Sequence, residues 1–232
     1  MSHLTTIGFD ADDTLWQNEQ YFRETEEKFI EWLADFADRE TLLARLLAIG
    51  RQNVVSHGFG MKTFTFSMME AALSVSEGKV PGATLGKILE AGKQMLNHKV
   101  ELLPGAIETL ESLAGRYRLV LITKGDLFHQ ENKVAQSGLA PLFEAVEIVS
   151  EKNKATYERA FARHGDGAAS SMMIGNSLKS DVIPALEVGG WGVYVPHELT
   201  WAFEHAEAPS HEPRYREIKT LAELPDLLEE LK

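Results

Sequence analysis

Beyond Pro104-Gly105 the chain alternates short apolar runs with amphipathic stretches, and this rhythm restricts its fold more than any other feature. Residues 119–123, 146–149, 172–174 and 192–195 read as strands, each too short and too uniformly apolar for a surface helix. Residues 105–115, 129–137, 154–164 and 181–188 read as helices, the last three stopped at Gly138, Gly165 and Gly189-Gly190. In the first of them Ile107, Leu110 and Leu113 share the inward face. Apolar strands separated by helices predict a parallel sheet covered on both sides, an α/β Rossmann-like core. The opening run LTTIGF adds a strand that ends in acids, and a final strand and helix follow a surface loop at 196–214.

Between the first strand and this alternation the pattern is helical. Phe22, Phe29, Leu33 and Phe36 fall on one face, as do Leu43, Leu46 and Leu47, and then Leu85, Ile88, Leu89, Gly92, Met95 and Leu96. The stretch RQNVVSHGFGMKTFTFS is less regular and reads as a loop with a short extended piece. The expected organisation is therefore a core domain of residues 1–16 and 100–232, with an α-helical domain inserted at 17–99. The Phe59, Met61, Phe64, Phe66, Met68 and Met69 cluster reads as core packing before it reads as a pocket.

Composition narrows the function classes. There is no cysteine, which removes disulfides, thiolate metal sites and a cysteine nucleophile. The eight histidines include no i,i+4 pair, which disfavours a histidine metal site. A net charge of −12 opposes binding to nucleic acid or to an anionic membrane surface. No apolar run is long enough to cross a bilayer, and the start MSHLTTIGF lacks a basic n-region, so a cytoplasmic protein is expected. Only 9 of the 35 acids are Asp, yet three of these stand together at Asp10, Asp12 and Asp13.

In a parallel α/β sheet, ligands bind beyond the carboxyl ends of the strands. The residues there are Asp10-Ala11-Asp12-Asp13-Thr14, Thr123-Lys124-Gly125-Asp126, Ser150-Glu151-Lys152, and Gly175-Asn176-Ser177 with Asp181 shortly after. Carboxylates, a hydroxyl and a lysine at one sheet edge suit a hard divalent cation together with a phosphoryl group. In an extended segment Asp10 and Asp12 point the same way, and two carboxylates in different environments can divide nucleophile and acid/base roles. Asp126 reads as a helix cap, Lys124 as a surface residue, and Asn176 and Ser177 as caps for the helix near Asp181.

These segments resemble, in order, the four motifs of the haloacid dehalogenase superfamily, whose members are mostly phosphatases and phosphomutases. Asp10-Ala11-Asp12-Asp13-Thr14 matches its D-x-D-x-T signature, Thr123 its second motif, Lys152 or Lys154 its third, and Gly175-Asn176 with Asp181 its fourth. The helical block resembles that family's inserted cap. The resemblance implies a phosphatase acting on a small phosphorylated metabolite through an aspartyl-phosphate. Asp10 would be the nucleophile and Asp12 the general acid and base. Thr123 would hydrogen-bond a phosphoryl oxygen, and Lys152, nearer the strand end than Lys154, would neutralise charge. Mg²⁺ would be held by Asp10, the Asp12 backbone carbonyl, Asn176 and Asp181. Two departures stand out: Asn176 replaces the family's usual aspartate, and no proline follows either lysine. Dehalogenases of the superfamily typically lack the second aspartate, so Asp12 argues against that activity; a phosphomutase shares the pair. From a different class, a phospho-accepting regulatory protein is the remaining alternative.

Overall fold

The computed structural model describes residues 3–199, 204 and 206–231. Contacts divide the chain into two units, one of Met1–Glu19 with Val100–Lys232 and one of Gln20–Lys99. Gln17, Asn18 and Glu19 thus group with the α/β unit, three residues past the boundary expected from the sequence.

In the α/β unit, β1 (Thr6–Phe9), β2 (Arg118–Lys124), β3 (Ala145–Val149), β4 (Ser171–Gly175), β5 (Trp191–Tyr194) and β6 (Tyr215–Glu217) form one sheet. Its order is β3-β2-β1-β4-β5-β6, and every pairing is parallel. Strand residues alternate between two cores, as side chains of period two must. Ile7, Phe9, Leu119, Leu121, Met172 and Ile174 pack on one side. There they meet Leu110 and Leu113 of α5 (Ala106–Leu113), Val134 of α6 (Leu127–Ser137) and Leu224 and Leu228 of α9 (Leu224–Glu230). Val120, Ile122 and Met173 face Tyr157 and Phe161 of α7 (Lys154–His164) and Ala185 of α8 (Ile183–Glu187) on the other. Each fully buried large apolar side chain contributes roughly 1.5–3 kcal/mol, so both faces are anchored. Ile107 departs from expectation: it is 40% exposed, and Ala106 and Thr109 take the inward positions beside Leu110 and Leu113.

The register brings strand ends level. Phe9 pairs with Leu121 on one side and Ile174 on the other, and the Asp10 N–H donates to the Ile174 carbonyl at 2.8 Å. The segments after β1, β2 and β4 therefore leave the sheet side by side.

The second unit holds α1 (Glu19–Leu33), α2 (Arg39–His57), α3 (Met61–Val75) and α4 (Gly82–Leu96) around Phe29, Leu33, Leu42, Leu46, Met68 and Ile88. The stretch read as an irregular loop is instead the end of α2, a short break and the start of α3. Its pattern misleads because the buried face of α3 includes Thr63, Thr65 and Ser67. The Thr65 and Ser67 hydroxyls donate to carbonyls one turn back, Met61 at 2.7 Å and Thr63 at 2.8 Å, which makes them tolerable inside. The α2 face also shifts: Leu42, Leu46, Ile49 and Asn53 are buried, whereas Leu47 is exposed. In α4, Leu89 is exposed while Ile88, Ala91, Gly92 and Met95 are buried. Phe66 of the aromatic and methionine cluster is exposed as well. Among the described residues no helix is long and apolar enough to cross a membrane.

Candidate active site

Directly after β1 the chain makes a tight turn. The Leu15 N–H donates to the Ala11 carbonyl at 2.8 Å and the Asp13 N–H to the Trp16 carbonyl at 2.7 Å. Asp13 adopts φ 60°, a region that Asp tolerates better than most residues. Its carboxylate accepts the N–H groups of Asn18 and Glu19 at 2.8 and 3.0 Å, so it holds the segment that leads into α1. This turn points Asp10 and Asp12 to different partners.

Asp10 is buried and meets the loops after β3 and β4. The Lys152 ammonium donates to Asp10 Oδ1 in a very short contact and to Asp181 Oδ1 at 2.7 Å. Asp181 Oδ2 accepts the Ser177 N–H at 3.0 Å. The first turn of α7 fixes both loops: Thr156 Oγ1 donates to the Glu151 carbonyl at 2.8 Å, and the Tyr157 hydroxyl to the Ser180 carbonyl at 2.9 Å. Asp181 sits in a wide helical turn, Leu178–Val182, whose N-cap is Ser177. Of the two candidate lysines, the fold brings Lys152 to the carboxylates. Lys154 lies on the exposed start of α7, 4.0 Å from Glu158.

Burial, reinforced by the Asp181 charge and opposed by Lys152, pushes the Asp10 carboxyl up to about 7. Burial works against the Lys152 ammonium, but Asp10 and Asp181 together raise its proton affinity above the ordinary lysine range.

Asp12 faces the other way, toward α6. Its Oδ1 accepts the Lys133 ammonium at 2.6 Å and the Trp16 indole N–H at 2.7 Å. Its Oδ2 accepts the Gln130 amide at 3.1 Å. Burial would raise this carboxyl, but the Lys133 charge and these hydrogen bonds hold it below the usual carboxylate range. The same Gln130 amide donates to Thr123 Oγ1 at 2.7 Å, so Thr123 is joined to Asp12 through one side chain.

Asn176 ends 3.1 Å from Asp10 Oδ2, 3.2 Å from the Asp12 carbonyl oxygen and 3.3 Å from Thr14 Oγ1. With its amide nitrogen turned there it donates toward them; with its oxygen there it completes an oxygen cluster. Thr14 Oγ1 also donates to Asp10 Oδ2 at 3.1 Å. Among the described residues no group of three His, Cys, Asp or Glu side chains could hold a metal unaided. The donors here are mixed: the Asp10 and Asp181 carboxylates, a carbonyl and an amide oxygen. That oxygen-only set fits Mg²⁺, which takes few protein ligands and completes its shell with water and substrate oxygens.

All six predicted site residues, Asp10, Asp12, Thr123, Lys152, Asn176 and Asp181, thus lie at one sheet edge. Asp126 caps α6, accepting the His129 N–H at 3.0 Å. Lys124 is not the surface residue expected: its ammonium reaches Ser180 Oγ at 2.8 Å and Glu204 at 2.5 Å. Glu204, inside the stretch expected to be a surface loop, also accepts the Ser177 and Ser180 hydroxyls. His197, in the same stretch, has only 14% of its side chain exposed and lies 3.9 Å from Asp13. Sequence reasoning missed Trp16, Gln130 and Lys133. The available signal was a glutamine and a lysine on the helical face that also carries Val134.

A model of the haloacid dehalogenase-like hydrolase family matches residues 4–189. A crystal structure of a haloacid dehalogenase-like family hydrolase from Xanthomonas campestris is 40% identical, with a TM-score of 0.88 over 98% of this chain and 91% of that one. The pyrimidine 5'-nucleotidase YjjG of Escherichia coli is 24% identical over 79% of this chain and 82% of its own length. A glyceraldehyde 3-phosphate phosphatase of Methanothermobacter thermautotrophicus is 26% identical, over 86% and 88% respectively.

Proposed function

The chain belongs to the haloacid dehalogenase-like hydrolase family, and from that premise we propose that it is a Mg²⁺-dependent phosphatase of small phosphorylated metabolites. The observation that carries this reading is the pair of carboxylates two residues apart with opposite surroundings. Asp10 shares Lys152 with Asp181, whereas Asp12 is held by Lys133, Trp16 and Gln130. A reaction at carbon that expels halide needs a nucleophile and no acid for the leaving group. Cleaving a phosphate ester of an alcohol needs both. The two curated relatives are named for a nucleotide and a triose phosphate, both small phosphomonoesters, which supports the same class.

In the first step an Asp10 carboxylate oxygen bonds to phosphorus as the ester P–O bond breaks, and Asp12 gives its proton to the departing oxygen. In the second, Asp12 takes a proton from water as the water oxygen attacks phosphorus, which frees phosphate and restores Asp10. Lys133 holds Asp12 ionised before substrate arrives, and a phosphoryl dianion beside it raises its proton affinity, so Asp12 takes up from solvent the proton it then gives to the leaving oxygen. Lys152 and the Thr123 hydroxyl meet the phosphoryl oxygens and the charge that spreads over them. Mg²⁺ would be held by Asp10, the Asp12 backbone carbonyl, Asn176 and Asp181, and when bound it would supply positive charge that offsets the phosphoryl oxygens.

The test is phosphate release from a panel of phosphorylated metabolites with Mg²⁺, run beside Asp10→Asn and Asp12→Asn. Asp10→Asn should lose turnover. Asp12→Asn should accept phosphate from an activated aryl phosphate and stall, which adds a phosphoryl mass to the Asp10 peptide. Label on a histidine or serine, or a fully active Asp10→Asn variant, would overturn the reading.

A further inference from the structure

We propose that Lys133 and Gln130, neighbours on the inner face of α6, are positioning residues that fix one carboxylate oxygen of Asp12 and leave the other to carry the proton. The inference rests on the phosphatase reading above and concerns how its acid/base residue is aimed.

The two oxygens of Asp12 are treated unequally. Oδ1 has two strong donors, the Lys133 ammonium at 2.6 Å and the Trp16 indole at 2.7 Å. Charge-assisted contacts of this length leave it little freedom. Among the described residues Oδ2 has one donor, the Gln130 amide at 3.1 Å. That amide has two protons and three acceptors: Asp12 Oδ2, Thr123 Oγ1 at 2.7 Å and the Lys124 carbonyl at 3.0 Å. The bond to Oδ2 is the longest of the three and is shared. Oδ2 therefore keeps lone-pair capacity for a proton, and Oδ1 does not.

Gln130 also sets the direction of the Thr123 hydroxyl. Because Thr123 Oγ1 accepts from Gln130, its own proton is free to point to a further acceptor, such as a phosphoryl oxygen. One amide thus ties the hydroxyl that would hold the phosphoryl group to the carboxylate that would protonate the leaving oxygen. Its carbonyl oxygen, Gln130 Oε1, is buried and has no hydrogen-bond partner among the described residues. Leaving that atom unpaired costs stability, and native structures do so at few sites. The placement follows from helix geometry: Gln130 and Lys133 are three residues apart on α6 and share its buried face with Val134.

The test compares wild type, Lys133→Met, Lys133→Arg and Gln130→Met in single-turnover reactions. One substrate is the best alkyl phosphate from the panel and the other is p-nitrophenyl phosphate, whose leaving group needs no proton. Lys133→Met and Gln130→Met should slow alkoxide release about 10- to 100-fold, the scale of a misplaced reacting group. In Lys133→Met the nitrophenol burst and both KM values should stay within about threefold, in Gln130→Met, which also releases the Thr123 hydroxyl, the burst should fall less than alkoxide release, and Lys133→Arg should recover part of the loss. In an Asp12→Asn background Lys133→Met should add almost nothing. Without substrate, the Trp16 indole resonance, one of four tryptophans, should shift in Lys133→Met. Should Lys133→Met fail to fold, Gln130→Met and Lys133→Arg carry the same comparison. Equal losses on both substrates, or full additivity with Asp12→Asn, would overturn the inference while leaving the phosphatase reading intact. A wild type that releases phosphate from no panel member would overturn both.

Discussion

Adding one methyl group at Gly175 tests whether Asp181 is held where the site needs it. A Cβ there would lie 2.2 Å from Asp181 Oδ2, 2.4 Å from its Cγ and 2.7 Å from its Cβ, all closer than real carbon contacts. Asp181 is 1% exposed and cannot swing into solvent. To make room it must give up the Ser177 N–H at 3.0 Å and the Lys152 ammonium at 2.7 Å. Overpacking costs about 1–3 kcal/mol, and a lost hydrogen bond to a charged group about 1.5–3 kcal/mol. Gly175→Ala should therefore cost on the order of 3–5 kcal/mol. At about 2–4 °C per kcal/mol, the transition that unfolds the α/β unit should fall by roughly 6–20 °C in calorimetry. Gly8→Ala is the comparator, because its Cβ would meet the flexible Met173 Sδ at 3.0 Å and Ile122 Cδ1 at 3.2 Å, and about 1 kcal/mol is expected. Asp181→Gly removes the obstacle entirely, including the Cβ that Asp181→Ala would leave behind. In that background Gly175→Ala should cost less than about 1 kcal/mol. Additive costs for Gly175→Ala and Asp181→Gly, or a Gly175→Ala protein as stable as wild type, would refute the reasoning.

Lys152→Ala should lower kcat/KM at least ~100-fold, the scale of losing one electrostatic contact to a transferring phosphoryl group. Lys154→Ala, on an exposed helix end, should leave it unchanged, and a larger loss at Lys154 would show that the lysine was misassigned. Exhaustive EDTA treatment should abolish phosphate release and Mg²⁺ should restore it, with Mn²⁺ or Co²⁺ as partial substitutes; full activity in EDTA would remove the metal assignment. Burial, opposed by the Glu19 N–H, pushes the Asp13 carboxyl up to about 6, above its unfolded value of about 3.9. The folded chain then binds this proton where the unfolded chain has lost it, so wild-type stability relative to Asp13→Asn should fall, on the order of 2 kcal/mol, as pH rises between those values. Denaturant titrations of both proteins across that window check the sign, and a difference that grows with pH would contradict it.

The sheet was readable because parallel strands buried on both faces are uniformly apolar, and Val120 through Ile122 or Met172 through Ile174 have no other stable place. The site carboxylates were readable for a related reason: Asp10 follows β1 directly and Asp181 comes in the first turn after β4, so chain order alone sends them to one edge. The break between α2 and α3 was not readable, because Thr63, Thr65 and Ser67 face inward and their satisfaction by carbonyls one turn back is invisible in a hydropathy pattern. Glu204 was hidden differently. It lies 80 residues from the lysine it pairs with, in a stretch with no period of its own. Lys133 and Gln130 fall between these cases. Their helical spacing is local, but Asp12 lies 121 and 118 positions away, and only the tertiary fold shows what they hold.

For a chain of net charge −12, the edge of this sheet is locally well supplied with cations, and each lysine has its own carboxylates. Lys152 serves Asp10 and Asp181, Lys133 serves Asp12, and Lys124 serves Glu204. The separation matters because one lysine is not divided among competing roles. Asp10 and Asp12 are the same side chain two residues apart, yet burial and Asp181 push one up while Lys133 holds the other down. Nothing in the D-x-D spacing produces that difference. It comes from the turn at residues 11–16, which sends Asp12 toward α6 and leaves Asp10 facing α7 and the Asp181 turn. The spacing makes two carboxylates available, and the helices beside them give each its own partners and its own proton affinity.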